Sequence, residues 1–369
     1  MKLVFVIWHG NIGGAERAAV ALARHFLEKG VHASLLFVGN VGPLAEAVER
    51  SDVPWAELGY VRGSAIARHP RQFADAASAL GSDLAILDSF GYAGTVLKLG
   101  GYSGTIIGVE HGVLHRVRQL PYQHRMRQRV SRLLGLLGHD AEVALSSYMH
   151  SLAMETVHGT PLVTIPHGVS PGQQVMAPSR REGIEGLRIG YAGRHLFGKG
   201  IDIAIRAAAH LASRHSNAAI KFTVAGDGPQ RQSLEALTRE LGAEEVVTFP
   251  GWIPDVEAFW ANCDVAIAPA HQLAESFGMT VLEAMACGRP AIVSDLGALP
   301  ELIRSNQDGL IIPPGDARAL SAALERYLAN PALIEEHGHS ARSRALKEFS
   351  LDTCAERYLA LSHGEPGRV

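Results

Sequence analysis

The chain has 369 residues, of which 47% are hydrophobic and 19% are charged, and its formal net charge is −3. This length predicts two domains at about 150 residues each, and the hydrophobic content excludes a largely disordered chain. The near-neutral charge argues against a protein that binds duplex nucleic acid through a basic surface, so no nucleic-acid partner is expected.

Short apolar runs alternate with segments of helical periodicity in the first half of the chain. These runs predict strands at Leu3–Trp8, Ala33–Val38, Leu84–Asp88, Thr105–Val109, Val143–Ser146 and Leu162–Ile165. The second half repeats the pattern, with strands predicted at Leu187–Ala192, Lys221–Ala225, Val246–Phe249, Val265–Ala268, Pro290–Val293 and Leu310–Ile312. Nearly continuous apolar runs are typical of parallel strands covered on both faces. Strands alternating with helices therefore predict an α/β protein with two Rossmann-like domains, each a parallel sheet flanked by helices.

A polar segment rich in Pro and Gly at about 170–186 predicts a linker between the two halves. We therefore expect domains at 1–170 and 171–350. From about residue 331 the pattern is helical, with His337-Gly338-His339 expected in a solvated loop.

The three cysteines show no C-x-x-C spacing, which favours buried thiols in a reducing compartment over disulfides or a zinc site. The first apolar run is too short for a signal peptide, and no uncharged apolar stretch reaches about 18 residues. A cytoplasmic protein is expected.

The first predicted strand ends in a loop that contains Gly13-Gly14 before a predicted helix. Free amides at a helix start attract anions, so the loop fits a phosphate contact, although a plain tight turn explains it equally well. The spacing is not G-x-G-x-x-G, which disfavours an NAD-dependent dehydrogenase.

A second glycine loop, Gly193–Gly200, carries Arg194 and Lys199 at the end of a predicted strand. An Arg fork and a Lys ammonium flanked by glycines suit a diphosphate, and ordinary solvated charges are the alternative.

The segment Glu275–Pro290 predicts a short helix that begins at Gly278 and ends near Gly288. Glu275 then lies in the loop before the helix, and Glu283 lies about one turn inside it. Carboxylates on either side of a helix N-terminus can hold hydroxyls while the free amides between them hold phosphate. A sugar nucleotide offers both kinds of group.

Taken together, these motifs resemble the glycosyltransferases of GT-B type, which have two facing Rossmann-like domains with a cleft between them, and more narrowly the retaining family 4. The resemblance covers essentially the whole chain and rests on Gly13-Gly14, Gly193-Arg194, Lys199-Gly200, Gly226–Pro229, the Glu275 and Glu283 pair, Phe277-Gly278, Gly288-x-Pro290, Gly309 and Pro314–Asp316. It implies an N-terminal acceptor domain, completed by a helix at 351–363, and a C-terminal donor domain.

The resemblance also implies roles for matching residues. Arg194 and Lys199 would neutralise the leaving diphosphate without a metal ion or other cofactor, Glu275 would hold sugar hydroxyls and Glu283 the ribose. Further donor contacts are implied for Gly13, Gly14, Ile253, Phe277, Gly278, Met279 and Thr280. The chain departs from the family pattern at His167, where Pro-Asn-Gly-Val-Asp is usual, and at Gly198, where an acidic residue is common.

His111 follows a predicted strand and matches a family histidine near the transferred sugar, so we expect it to be catalytic. A structural histidine at a strand end is the alternative, and a zinc site with His115 is disfavoured because Gly112 breaks the helical face.

Residues 116–137 combine arginines with an apolar helical stripe and contain no carboxylate. One interpretation is a helix that contacts an anionic membrane, where lipid-linked acceptors reside, which would put the protein at the inner face of that membrane. An ordinary surface helix and contact with an anionic acceptor are the alternatives.

The sequence therefore predicts a retaining glycosyltransferase that moves a hexose or N-acetylhexosamine from a nucleotide-diphosphate sugar, with UDP favoured over GDP. The acceptor would be a hydroxyl of a glycan, a lipid-linked molecule or a small molecule. A sugar-nucleotide epimerase of the same fold and a non-catalytic sugar-nucleotide binding protein remain as alternatives.

Overall fold

The computed structural model describes residues 1–10, 13–61, 64–88, 92–111, 138–154, 157, 159–171, 186–272 and 275–365. The chain divides into two compact units, the first formed by Met1–Gly168 with Leu351–Val369 and the second by Val169–Ser350. The division thus falls at 168/169, where the sequence analysis expects 170/171.

A parallel sheet forms the centre of the first unit. Its described strands are β1 (Lys2–Ile7), β2 (His32–Phe37), β3 (Trp55–Glu57), β4 (Leu84–Asp88), β5 (Thr105–Glu110), β6 (Ala141–Ala144) and β7 (Leu162–Thr164). They lie in the order β3-β2-β1-β4-β5-β6-β7. Leu3 of β1 pairs with Ala33 on one side and Leu84 on the other, so the strand order reverses at the junction of β1 and β4.

Helices cover this sheet because its strands are apolar on both faces. The described helices are α1 (Gly14–Glu28), α2 (Ala45–Glu49), α3 (Ser64–Arg68), α4 (Pro70–Leu80), α5 (Ala93–Gly100) and α6 (Ser147–Met154), with a 3₁₀ turn at Gly42–Leu44. Val4, Leu36 and Leu87 in the sheet and Phe73 on α4 are fully buried in one core cluster.

The second unit repeats the arrangement. Its described strands are β8 (Gly186–Ala192), β9 (Ala219–Ala225), β10 (Val247–Gly251), β11 (Val265–Ala268), β12 (Ala291–Ser294) and β13 (Gly309–Ile312). They are parallel and lie in the order β10-β9-β8-β11-β12-β13, with the reversal between β8 and β11. Its described helices are α7 (Ile201–Arg214), α8 (Arg231–Glu240), α9 (Val256–Ala261), α10 (Met279–Ala286), α11 (Leu299–Leu302), α12 (Ala317–Ala329) and α13 (Ala332–Glu348).

The last helix, α14 (Leu351–Ser362), belongs to the first unit. Asp352 in its first turn forms an ion pair with Lys29 at 2.6 Å and a contact with His25 at 3.1 Å. Both partners lie at the C-terminal end of α1, so α14 packs along that helix.

The predicted strands agree with the structure to within a few residues, with one omission. Strand β3 is three residues long, and both Trp55 and Glu57 are exposed. An edge strand of this kind has no apolar run to reveal it.

The predicted solvated loop at His337-Gly338-His339 is wrong, because these residues lie inside α13. His337 is buried, and its Nδ1 shares a hydrogen bond of 2.8 Å with the Tyr327 hydroxyl. A Cβ on Gly338 would lie 2.3 Å from the Gly288 carbonyl oxygen, so glycine here lets α13 approach the end of α10. A glycine between two polar residues is typical of a loop, but here the glycine allows two helices to pack closely.

Cys263, Cys287 and Cys354 are free and buried, as predicted. In the part of the chain that the structure describes, no helix is long and apolar enough to cross a membrane. The basic segment 116–137 lies outside the described residues, and so does most of the predicted linker (172–185).

Candidate functional site

The candidate donor site lies at the carboxyl edge of the second unit's sheet, where the strand order reverses between β8 and β11. In open α/β sheets, ligands bind at this edge and at this point of reversal, because the loops after the two strands run in opposite directions. The loop 193–200 follows β8, and a second loop, described at residues 269–272 and 275–278, follows β11. These loops carry most of the residues that the sequence analysis selected in this unit.

Glycines bring the loops of this edge into backbone contact. Gly200 has φ +76°, and a Cβ there would lie 1.8 Å from the Pro269 carbonyl oxygen. A Cβ on Gly226, after β9, would lie 2.0 Å from the Gly193 carbonyl oxygen. The amide of His271 also donates to the Gly198 carbonyl at 2.9 Å. The two loops around the reversal are therefore fixed to each other by backbone contacts that a side chain would prevent.

Lys199 and Glu275 form an ion pair across the reversal, although 76 residues separate them. Their side chains are 18% and 25% exposed, so the pair is screened from water on most sides yet open to a ligand. The structure thus brings together two residues for which the sequence suggested separate roles. A paired ammonium keeps two of its three donors for other acceptors.

The backbone around Glu275 is held in place by buried neighbours. Its carbonyl accepts a hydrogen bond of 3.0 Å from the Ala298 amide. Phe277 is 4% exposed, and its ring packs edge-on against Phe349 with the centroids 5.9 Å apart. Phe277 therefore anchors the loop, and the structure gives its side chain a packing role.

Helix α10 begins directly after this loop. Gly278 is its N-cap, with φ +107°, and the carbonyl of Gly278 accepts from the amides of Val281 and Leu282. The amides of Met279 and Thr280, which precede Val281 in the first turn, have no acceptor one turn earlier in the helix, and amides at this position can bind an anion. The predicted bounds of this helix agree with the structure.

Glu283 lies one turn inside α10 and is partly buried, whereas its neighbours in the chain, Leu282 and Ala284, are buried. Ile253 follows β10 and is partly buried in the loop before α9. The amide of Gly226 donates to the Gly251 carbonyl at 2.7 Å, which connects the loop after β10 to the loop after β9.

Arg194 is exposed, and its carbonyl accepts from the Tyr191 hydroxyl at 3.3 Å. Tyr191 is a residue that the sequence analysis missed. Burial, together with the charge of Glu275, raises the pKa of its hydroxyl, which therefore stays protonated under the Arg194 loop. Its only signal in the sequence was a polar atom on an apolar strand.

His195 is another residue that the sequence analysis missed. It is fully buried, its ring lies edge-on to the ring of Phe249, its amide donates to the Asp227 carbonyl, and its carbonyl accepts from the Gln230 amide. Burial lowers the pKa of its imidazole, so it fills space in the loop as a neutral ring.

The first unit carries a second cluster at the carboxyl edge of its own sheet. Asp88 ends β4, His111 follows β5, and Nε2 of His111 forms an ion pair with Oδ1 of Asp88. The ring of His111 also stacks on His167, with centroids 5.3 Å apart and planes at 27°. The side chains of His111 and Asp88 are only 14% and 12% exposed. Asp88 was not selected from the sequence, although it is a charged residue at the end of an apolar strand.

Gly13 is the N-cap of α1 and Gly14 its first helical residue. A Cβ on Gly13 would lie 2.2 Å from Oε2 of Glu16, so a carboxylate lies over this end of the helix. Phosphate contacts at Gly13 and Gly14 therefore stay a prediction, and Glu16 would have to move away from an incoming anion.

Among the described residues, no group of three or more His, Cys, Asp or Glu side chains is arranged to hold a metal ion. His115, the second ligand in the disfavoured zinc alternative, lies outside the described residues.

Comparisons with known proteins support the predicted resemblance at a coarse level. Residues 180–345, which lie within the second unit, match the model of the family "Glycosyl transferases group 1". The lipopolysaccharide core biosynthesis mannosyltransferase LpcC of Rhizobium leguminosarum bv. viciae is 30% identical over 224 residues, which cover 58% of this chain and 61% of that protein. Glycogen synthase of Mycobacterium tuberculosis H37Rv is 33% identical over 181 residues, which cover 47% and 43%. The chain thus spans about half the length of these curated relatives.

Solved structures match the fold over nearly the whole chain. Anabaena Alr3699/HepE in complex with UDP has a TM-score of 0.80 at 19% identity and covers 99% of this chain and 100% of that chain. Sucrose-phosphate synthase from Thermosynechococcus elongatus has a TM-score of 0.77 at 21% identity, with 100% of each chain covered. The predicted α/β class, with two parallel sheets flanked by helices, is confirmed. Membership of family 4 and retention stay predictions.

Proposed function

We propose that this protein is a retaining glycosyltransferase of family 4 that transfers a hexose or N-acetylhexosamine from a nucleotide-diphosphate sugar to a hydroxyl of a glycan, a lipid-linked molecule or a small molecule. The observation that carries the proposal is the Lys199–Glu275 ion pair beside the N-terminus of α10, at the strand reversal of the second unit. The group 1 family match over the same unit supports it.

In this proposal, different residues of the second unit contact different parts of the donor. Exposed Arg194 and partly exposed Lys199 supply positive charge for the diphosphate, and the first-turn amides of α10 add aligned donors. Glu275 then holds sugar hydroxyls close to the diphosphate, and Glu283 holds the ribose. Ile253 would meet the base through the backbone of its loop.

Catalysis would follow from charge that is in place before the reaction. As the bond between the sugar and the diphosphate breaks, negative charge develops on the leaving phosphate oxygen. Fixed donors directed at that oxygen stabilise the transition state without reorganising, which is usually the largest single contribution. Arg194 and Lys199 would supply this stabilisation, so we extend the proposal to transfer that needs no divalent ion.

UDP is the favoured nucleotide in this proposal. One protein of the same fold, Anabaena Alr3699/HepE, has been solved with UDP and with UDP-glucose, and this is the reason to test the uridine series first. The mannosyltransferase among the curated relatives is the reason to keep the guanosine series in the same test. The acceptor is proposed to meet the first unit, whose His111 the resemblance associates with the transferred sugar.

The first experiment is thermal unfolding with UDP, GDP, ADP and their sugars, in the absence of metal. A ligand that binds the native state raises the unfolding midpoint by mass action. We expect one nucleotide series to raise it, with the diphosphate more effective than the matching nucleoside. The Arg194→Ala variant should lose most of the diphosphate effect, while Arg206→Ala, an exposed arginine on α7 of the same unit, should keep it.

Absence of any shift, or an equal shift in the Arg194→Ala variant, would contradict the proposed donor site. The alternative functions are separated by turnover. An epimerase would change the donor sugar with no acceptor present, and a binding protein would leave it intact with every acceptor offered.

A further inference from the structure

Three side chains lie at the carboxyl edge of the first unit's sheet: Asp88 at the end of β4, His111 after β5 and His167 after β7. The ion pair between Asp88 and His111 uses Nε2 of the imidazole. Nδ1 is therefore the ring nitrogen of His111 that remains for a ligand. His167 lies on the face of the same ring, 5.3 Å away between centroids.

Two imidazoles at this distance do not readily carry a proton each, because like charges repel strongly in a site with little water. The carboxylate of Asp88 forms an ion pair with the His111 ring, so its charge favours a proton on His111. Burial has the largest single effect on the pKa of His111 and lowers it, but the charge and hydrogen bond of Asp88, together with the charges of Glu16 and Glu110, raise the pKa above its ordinary value. Burial and the charge of His111 lower the pKa of His167 to about 3.

The other titratable groups around the cluster act in the same direction. Glu16 on α1 and Glu110 at the end of β5 both place negative charge near His111. Burial, together with smaller effects that include the charge of Asp88, raises the pKa of the Tyr358 hydroxyl on α14, so this group remains neutral. His167 would oppose a charge on His111 only if it were itself protonated, because two like charges repel each other.

Resting on the proposed function, we propose that Asp88 is a positioning residue that keeps His111 protonated through Nε2, with His167 as its neutral stacking partner. His111 then presents a charged N–H at Nδ1 to the substrate. In this arrangement His111 acts as a hydrogen-bond donor to a substrate oxygen and not as a general base. Its contribution to turnover should disappear as the pH rises and the imidazole loses its proton.

The test is a titration of the histidine Cε1 signals by NMR in protein labelled at histidine, with the His111 signal assigned by its loss in His111→Gln. In the wild-type protein we expect His111 to titrate above the ordinary histidine range. In Asp88→Asn the titration should move to lower pH, and in Asp88→Glu it should move back. Asp75→Asn, at an exposed aspartate on α4 of the same unit, should leave it unchanged.

Turnover gives the second measurement. The alkaline limb of kcat should move to lower pH in Asp88→Asn and return in Asp88→Glu, while the nucleotide affinity of the second unit stays as in the wild type. An unchanged His111 titration in Asp88→Asn overturns the inference, whatever the activity. A protein that binds no nucleotide overturns the proposed function instead, and the titration still decides the inference.

Discussion

The two units have the same sheet architecture but carry different pairs of charged side chains at the carboxyl edge of the sheet. Each has a parallel sheet whose strand order reverses once, and each places an acid paired with a base at the carboxyl edge. In the second unit the pair is Lys199–Glu275, carried on loops. In the first unit it is Asp88–His111, with the acid at the end of a strand and the base directly after one.

The difference lies in what each pair does as the pH changes. Free lysine and glutamate side chains have reference pKa values of about 10.4 and about 4.3, both outside the neutral range. Histidine is the side chain whose charge changes in that range. If the proposed function holds, we therefore expect donor binding at the second unit to depend little on pH and the pH dependence of turnover to arise in the first unit.

The largest expected effect comes from breaking the pair in the second unit. We expect Lys199→Ala and Glu275→Gln each to lower turnover by about 10²–10³-fold, as is typical when a preorganised stabilising group is removed. Because the two side chains contact each other, the double variant should lose less than the product of the single losses. Turnover is measured by nucleotide release with the donor that the thermal assay selects.

Lys347→Ala and Glu244→Gln are the matched controls, since both residues are exposed in the same unit. Each should keep wild-type turnover. Wild-type rates in Lys199→Ala or Glu275→Gln would contradict both the proposed function and the division of roles between the units.

A smaller effect should follow from disturbing the loops that carry this pair. Gly200→Ala would put a Cβ 1.8 Å from the Pro269 carbonyl oxygen, at φ +76°. Gly242→Ala is the control, because its φ is +61° and a Cβ there meets nothing within 4 Å. Both variants carry the strain of a positive φ, so we expect Gly200→Ala to lower the free energy of unfolding by about 1–3 kcal/mol more than Gly242→Ala.

Urea unfolding of the two variants measures this difference. Equal losses would mean that the loops around the reversal can move apart at little cost. The fixed geometry attributed to the second unit would then be wrong.

These contacts also mark what the sequence can and cannot predict. The strands were predictable because each is a nearly continuous apolar run, and α10 was predictable because Gly278 and Gly288 bracket it. The Lys199–Glu275 pair joins residues from two loops whose proximity depends on β8 lying beside β11. Strand order depends on how the whole sheet packs, which no local pattern encodes.

The first unit's cluster was harder still to predict. His111 was selected through a family resemblance, whereas Asp88 ends an ordinary apolar strand and His167 stood out only as a departure from a motif. Their contact requires β4, β5 and β7 to end at one edge, with the rings oriented face to face. Ring stacking and the partition of one proton between two histidines are properties of side-chain geometry, so the sequence gives no direct signal for them.

The smallest effect is a change in acid stability, and it tests the first unit alone. The pKa of His167 is about 3 in the folded protein, against about 6.5 when unfolded. Between these values the unfolded chain binds a proton that the folded protein does not, so folding becomes less favourable as the pH falls. Between pH 7 and pH 5.5, proton uptake by His167 in the unfolded chain should lower the free energy of unfolding of the wild-type protein by about 1 kcal/mol.

His167→Asn removes the group that causes this loss and supplies the residue that the family pattern has at this position. The variant should therefore lose less stability than the wild-type protein between pH 7 and pH 5.5, and its advantage should grow as the pH falls further. His337 and His195 also have a lowered pKa, but they are present in both proteins, so they cancel in the comparison. Parallel curves of unfolding free energy against pH would mean that His167 takes up a proton in the folded protein as readily as in the unfolded chain. The inference that His111 is protonated while His167 stays neutral would then be wrong.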